Sequence, residues 1–209
     1  MANERRQRRD LSMDEVIDRS IEIAQAEGEK GLTMRRVAEA CDVTPMALYH
    51  HVENKEALLT AIVDRGVATA IADFGTGDDW RADLTEFLCR FRQGFIDHPP
   101  AAQVFLRRPV LSEALARCTE LMFDAFHRAG LRGAGLAEAT DAVVLLSMGS
   151  IANDLTRPPE IRYALTEHLA TEDASHLRSE IDAYSVRDTD ARFRTALDWL
   201  LDGLVADRG

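Results

Sequence analysis

The segment TPMALYHHVENK, residues 44–55, brings a proline, a methionine, a tyrosine, two adjacent histidines and a lysine into one short stretch. Imidazoles can ligate metal or move protons. On a helix, however, neighbours point about 100° apart, and neither His50 nor His51 has a Cys, His or carboxylate four residues before or after it. Metal binding is therefore not assigned. His98, His127, His168 and His176 are scattered and read as surface or core residues. Ser, Asp and His all occur, yet no G-x-S-x-G elbow and no H-E-x-x-H motif arranges them for catalysis. No catalytic residue and no cofactor are assigned. What remains is contact chemistry, by small apolar groups, hydroxyls, imidazoles and a cation.

The formal charge of −11 argues at first sight against phosphate binding, because counterion release relies on Lys and Arg. Distribution qualifies the sum. Arg5, Arg6, Arg8 and Arg9 form a basic arm, Arg35 and Arg36 sit together, and Lys55 stands apart. An arm without apolar periodicity is either a solvated tail or a contact to a phosphate backbone. With 46% of its 209 residues hydrophobic, the chain can bury a real core, in one domain or a small one joined to a larger. No apolar run approaches the roughly 20 residues of a bilayer span, and MANERRQRRDLSMDE lacks the apolar segment of a secretion signal. A cytoplasmic chain with no membrane partner is expected. Cys41, Cys89 and Cys118 are odd in number and far apart, which offers no disulfide framework and no CxxC knuckle, so reduced core thiols are expected.

Positioning such a segment requires helices, and nothing in the chain reads as a strand. Ser12-Met13-Asp14-Glu15 has the S-x-x-E form of a capping box, and Ile17, Ile21 and Ala24 then repeat at i, i+4, i+7. This predicts a first helix over about 12–27, which Gly28 and Gly31 end. Thr33 can cap a second helix, on which Met34, Val37, Ala38 and Cys41 make one apolar face. After CDV, Thr44 supplies a hydroxyl cap and Pro45 takes the first helical position, where a missing N–H costs nothing. A third helix over about 45–52 buries Leu48 and Val52, leaving Thr44, Met46, Ala47, Tyr49 and His50 to face outward. Asn54 is placed to cap a fourth helix through Ala57, Leu58, Ala61, Ile62 and Val67. Two short helices joined by a tight turn and braced by longer ones match the helix-turn-helix pattern.

GLTMRRVAEACDVTPMALYHHVENKEALL, residues 31–59, resembles the DNA-binding signature of the TetR family of bacterial transcriptional regulators. The resemblance rests on G-L-T at the second helix, the valine closing the turn, L-Y in the third helix and N-K-x-x-L-L opening the fourth. RFRTALDWLLDGLVA, residues 192–206, is similar to the last helix of family members. Asp42 departs from the glycine that many members carry in the turn, but Asp tolerates the left-handed conformation better than most residues. The resemblance implies phosphate contacts by Thr33, Tyr49, His51 and Lys55, and base-facing positions at Arg35, Thr44, Pro45, Met46, Ala47 and His50. Elementary chemistry agrees for most of them. Thr33 and Lys55 fall at helix N-termini, where exposed N–H groups favour a phosphate, and Arg35 carries the planar fork that pairs with guanine O6 and N7. Taken by itself, Tyr49 can also be a half-buried core residue.

DFGTGDDW reads as a loop before a fifth helix, on which Trp80, Leu84, Phe87, Phe91 and Phe95 repeat at steps of four, three, four and four. Such a stripe is usually core. The resemblance implies more, because in the family this helix and its neighbours line a small-molecule pocket. Phe87, Phe91, Phe95, Phe105, Leu106, Met122, Phe126 and Met148 are then its walls, with Arg92 and Asn153 as polar contacts. Members that bind magnesium–tetracycline carry a histidine in the segment reading QVFLRRP here. Phe105 stands in its place, which implies a more apolar effector and no metal. An eighth helix over about 136–155 is apolar nearly all round, and a last helix over about 192–205 adds Phe193, Leu197, Leu200, Leu201 and Leu204. Both can be intrachain core. The resemblance implies instead a four-helix homodimer interface, with TRPPE and residues 171–190 as a loop or irregular segment between the two helices. One short reading head contacts few base pairs, and a two-fold partner supplies a second.

The expected molecule is all-α. Residues 1–60 form a helix-turn-helix DNA-binding domain with a basic arm, and residues 61–209 a helical ligand-binding and dimerisation domain. As a homodimer it is expected to bind a double-stranded DNA operator and a small apolar or amphipathic effector, acting as a repressor. The competing readings are a small helical enzyme or carrier whose helix-turn-helix is only structural, and a helical adaptor.

Overall fold

In the computed structural model, which describes residues 11–108, 110–156, 176, 179–180 and 188–206, polar side chains mark where the helices begin. Ser12 Oγ accepts from the Glu15 N–H at 3.1 Å and opens α1 (Met13–Gly31). Thr33 Oγ1 accepts from Arg36 at 3.2 Å and opens α2 (Met34–Ala40). Thr44 Oγ1 accepts from Ala47 at 3.2 Å and opens α3 (Pro45–Tyr49), and Asn54 Oδ1 accepts from Ala57 at 2.9 Å and opens α4 (Lys55–Ile71). Each bond satisfies an N–H that the first helical turn leaves without a partner. Asp79 and Ser112 do the same for α5 (Trp80–Asp97) and α7 (Glu113–Arg128), while α6 (Pro99–Arg107) starts on two prolines. The long helices α8 (Gly133–Thr156) and α9 (Thr189–Ala206) complete the order, and no strand occurs among the described residues.

The turn between α2 and α3 closes as a Schellman motif. The Val43 N–H reaches the Ala38 carbonyl at 3.0 Å and the Asp42 N–H reaches Glu39 at 3.2 Å, with Asp42 left-handed at φ 54°. The substitution of Asp for glycine in this turn therefore leaves its geometry intact. Helix boundaries differ from expectation at several places: α8 and α9 each begin three residues earlier, at Gly133 and Thr189, so the last two residues of the expected 171–190 loop are helical. Although Gly28 turns left-handed at φ 71°, helical pairing resumes beyond it and α1 extends to Gly31. Helix α3 ends at Tyr49, so His50 and His51 lie in the turn that follows it.

Helices α1 to α3 and the first half of α4 enclose Val16, Ile17, Val37, Leu48, Val52 and Leu58, all buried. Helix α4 runs through positions 60 and 61 without interruption and carries Ile62, Val63 and Val67 into the second half of the core, against α5, α6 and α7. At the α4–α6 crossing the backbones approach so closely that a Cβ on Gly66 would lie 3.1 Å from the Ala101 Cβ. Helix α6 also packs on α1, α5 and α8, which makes it, with α4, an element common to both halves.

Helix α8 buries Leu136, Ala139, Thr140, Val143, Ser147 and Ile151 against α5, α6, α7 and α9. By length and composition it would suffice to cross a bilayer, which corrects the expectation that no run approaches a span. That apolarity has another use here, since a helix serving the core on one side and a second surface on another has few places for charge. The Arg5–Arg9 arm, residues 157–160 of the TRPPE segment, His168 and most of residues 171–187 lie outside the described residues, while Thr156 ends α8 and is helical.

Candidate nucleic-acid interface and internal cavity

Leu48 and Val52, at 0% and 3% exposure, anchor the α3 segment, and the rest of it is presented outward. Pro45, Met46, Tyr49, His50 and His51 are exposed, Met46 at 70% and Tyr49 at 48%. A thioether and a phenol ring left in water at this density are unusual for a solvated helix and suit a surface that docks. Thr44 is half-buried, with its hydroxyl already engaged as the α3 cap, and Ala47 is half-buried against the core. These two stand further back than the sequence pattern suggested. Thr33 is exposed at the start of α2.

Arg35 extends into solvent at 85% exposure, but its Nε donates to Glu39 at 3.0 Å one turn on. That pairing was readable from the i, i+4 spacing and is absent from the sequence reading. An exposed pair of this kind is worth well under about 1 kcal/mol, so it can open to let the guanidinium reach another acceptor. Lys55 is half-buried, and its ammonium donates to the Glu29 carbonyl at 3.2 Å, bracing α4 against the end of α1. Around it, Arg107 lies 4.0 Å from the Glu29 carboxylate and Arg108 pairs with Glu56. The C-terminal end of α6 is thus held to the reading head by two ion pairs.

Between α5, α6, α7 and α8 lies an apolar cavity of about 190 Å³. Phe87, Phe91, Phe105, Met122 and Met148, five of the wall residues that the resemblance implies, line it. The remaining expected wall residues lie elsewhere. Phe95 is fully buried behind the cavity, stacked on Phe105 with centroids 4.6 Å apart. Phe126 is fully buried and pairs with Leu131 through a backbone bond of 2.8 Å that closes α7. Leu106 is half-buried against the core. In their place come Leu88, Leu115, Cys118, Thr119, Val144 and Ser147. On α7 the run Leu115, Cys118, Thr119 and Met122 has the i, i+3, i+4, i+7 spacing of one helix face, the signal that was available for it. Burial pushes the Cys118 thiol up to about 12, with a smaller push from the Asp64 carboxylate, so it stays protonated and poorly nucleophilic.

The two expected polar contacts to a ligand are not in this cavity. Arg92, at 1% exposure, donates to Asp154 at 2.5 Å, Ser150 at 2.9 Å and Thr189 at 3.1 Å, and pairs with Asp190, while Phe193 lies beneath its guanidinium. It joins α5 to α8 and α9. Asn153 borders a shallower depression on the α8–α9 surface, beside Leu145, Gly149 and Phe193. Leu145 and Trp199 are 70% and 71% exposed. Trp199 is a large apolar surface residue that the sequence reading did not single out.

Comparison with known proteins matches residues 16–62 to the profile described as bacterial regulatory proteins, tetR family, and residues 75–208 to the tetracyclin repressor-like C-terminal domain. An HTH-type transcriptional regulator of Saccharopolyspora erythraea is 29% identical over 95% of this chain and 86% of its own. The class A tetracycline repressor protein from transposon 1721 of Escherichia coli is 27% identical over 95% of this chain and 92% of its own. Among solved structures, ActR of Streptomyces coelicolor in complex with actinorhodin superimposes with a TM-score of 0.78 at 21% identity, covering 96% of this chain and 98% of that one. At that identity the likeness speaks to the fold.

Proposed function

The chain belongs to the TetR family of bacterial transcriptional regulators, and from that premise we propose a homodimeric repressor that a small, uncharged, largely apolar molecule releases from a palindromic operator. The observation that carries this reading is the sharing of α6. Its Phe105 lines the cavity, its Ala101 touches α4 at Gly66, and its terminal arginines hold Glu29 and Glu56 beside the reading head. A ligand that displaces Phe105 must therefore disturb the docking of α4. By linkage, operator and effector then weaken each other's binding to the same degree. An effector-binding reading also suits the family relatives, which include repressors and a protein solved with a bound small molecule.

Residues 1–60 carry DNA contact and residues 61–209 carry effector binding and dimerisation in this reading, with α4 shared between them. Arg35, Met46 and His50 face bases, with Thr44, Pro45 and Ala47 shaping the same surface, while Thr33, Tyr49, His51 and Lys55 face phosphates. Leu145 and Trp199 become covered when α8 and α9 meet a second copy, and paired heads then span half-sites about 34–36 Å apart. No catalytic role is assigned to any residue, and nothing in the comparisons favours the enzyme or carrier reading.

Footprinting and titration on the DNA flanking the chain's own gene test the reading. Operator binding should weaken steeply as salt rises. Lys55→Ala should lower affinity for specific and random DNA alike and shallow the salt slope by about one per protomer. Arg35→Ala should relax sequence preference, and an equal loss on both DNAs would remove Arg35 from base reading.

A further inference from the structure

Among the described residues, the cavity between α5 and α8 has no ionisable wall group except the Cys118 thiol, whose proton burial retains. Two hydroxyls reach it. Ser147, 2% exposed, donates its proton to the Val143 carbonyl at 2.8 Å, and Thr119, at the open side, donates to Leu115 at 3.2 Å. With its hydrogen engaged by the preceding helical turn, each hydroxyl presents its lone pairs to the cavity and would have to break that bond to donate. The hydroxyl oxygens of the lining therefore favour accepting hydrogen bonds, beside the weak S–H donor of Cys118 and inside a shell of rings. Phe91 meets Phe105 edge to face at 5.9 Å and lies tilted against Phe87 at 6.1 Å, which leaves aromatic surface for a flat guest.

Building on the effector reading above, we infer that the effector is an uncharged aromatic molecule bearing a hydroxyl or N–H donor, and that Ser147 Oγ accepts from it. A carboxylate could draw a proton from Ser147 only at the expense of its bond to Val143, and with no cation in the lining it would be buried at a cost far above that of a neutral group. A guest whose polar atoms are all acceptors leaves the Ser147 oxygen dehydrated without compensation. The preference is written by the direction of two helix-internal bonds, and the volume of the cavity does not enter it.

Size-matched probes separate the donor from the apolar body: 1-naphthol against 1-methylnaphthalene, with 1-naphthoate as the anion, each titrated calorimetrically into the full-length protein. Ser147→Ala keeps α8 intact, because the Val143 carbonyl still receives the backbone N–H of residue 147. It should weaken 1-naphthol roughly three- to tenfold while leaving 1-methylnaphthalene within about twofold. Thr119→Val, at the mouth, should leave the ratio of the two unchanged. Wild-type protein should bind 1-naphthoate at least about 100-fold more weakly than 1-naphthol. Equal shifts of both neutral probes in Ser147→Ala, no shift in either, or tight binding of 1-naphthoate overturns the donor assignment and leaves the cavity an effector site. If neither neutral probe binds wild-type protein, the effector reading falls and this inference with it.

Discussion

At the scale of single residues, two positions carry energetic signatures that can be measured directly. Asp42 holds φ 54°, a conformation that costs an L-residue roughly 1–2 kcal/mol and glycine almost nothing. Asp42→Gly should leave stability unchanged or raise it by up to about 1 kcal/mol, and Asp42→Val should lower it by about 1–2 kcal/mol, as read from urea unfolding. Burial pushes the Cys118 thiol from its ordinary value near 9.0 up to about 12 in the folded chain. The unfolded thiol therefore ionises first, so folding stability should fall as pH rises through that interval, by at most about 1.4 kcal/mol per pH unit. Comparing unfolding at pH 8 and pH 10 for the native chain and Cys118→Ala checks it: the alanine variant should lose less. Legibility at this scale followed helix spacing. Phe87 and Phe91 announced themselves through their four-residue repeat, while Arg92 is on the same helix yet turned away. Its partners Asp154 and Asp190 stand 62 and 98 residues further on, beyond the reach of any local pattern.

At the scale of elements, starts were more legible than ends. Ser12, Thr33, Thr44 and Asn54 declare their helices because a side-chain cap needs a hydroxyl or amide oxygen at one position, and all four bonds are present. The close of α3 at Tyr49 was not legible, since Val52 continues the apolar spacing while the backbone has already turned. The outward side of α3 was also clear in outline, but how far each side chain projects was not, because depth depends on how α1 and α4 clasp the short helices. Gly66 is another tertiary fact hidden in an ordinary helical sequence. Alanine there would gain helix propensity but meet Ala101 at 3.1 Å, so its sign depends on whether α6 yields. Valine has no such latitude. Gly66→Val should cost about 1–3 kcal/mol in urea unfolding and lower operator affinity, because it forces α4 away from α6.

At the scale of the whole molecule, the buried Arg92 decides how the two surface helices sit. Removing its charge takes away the guanidinium that sits 2.5 Å from Asp154 and, with it, the bonds that tie α5 to Ser150 and Thr189. Arg92→Met should therefore destabilise the chain by roughly 3 kcal/mol and weaken self-association in sedimentation, although Arg92 touches neither Leu145 nor Trp199 in the proposed interface. The overall all-helical plan was readable from composition and periodicity. The joints were not, since each depends on residues distant in sequence.

The ion pairs between the end of α6 and the reading head bear on how a DNA titration should look. Arg107–Glu29 and Arg108–Glu56 both reach solvent and are screened over a Debye length of about 8 Å at physiological salt. Rising salt thus acts twice, once by removing the counterion gain at phosphates and again by loosening the head that must hold those phosphates in register. A plot of log K against log salt should bend downward and not run straight. Counting phosphate contacts from its steep end would overstate them, and the low-salt limb is where the true number of cations facing the duplex is written.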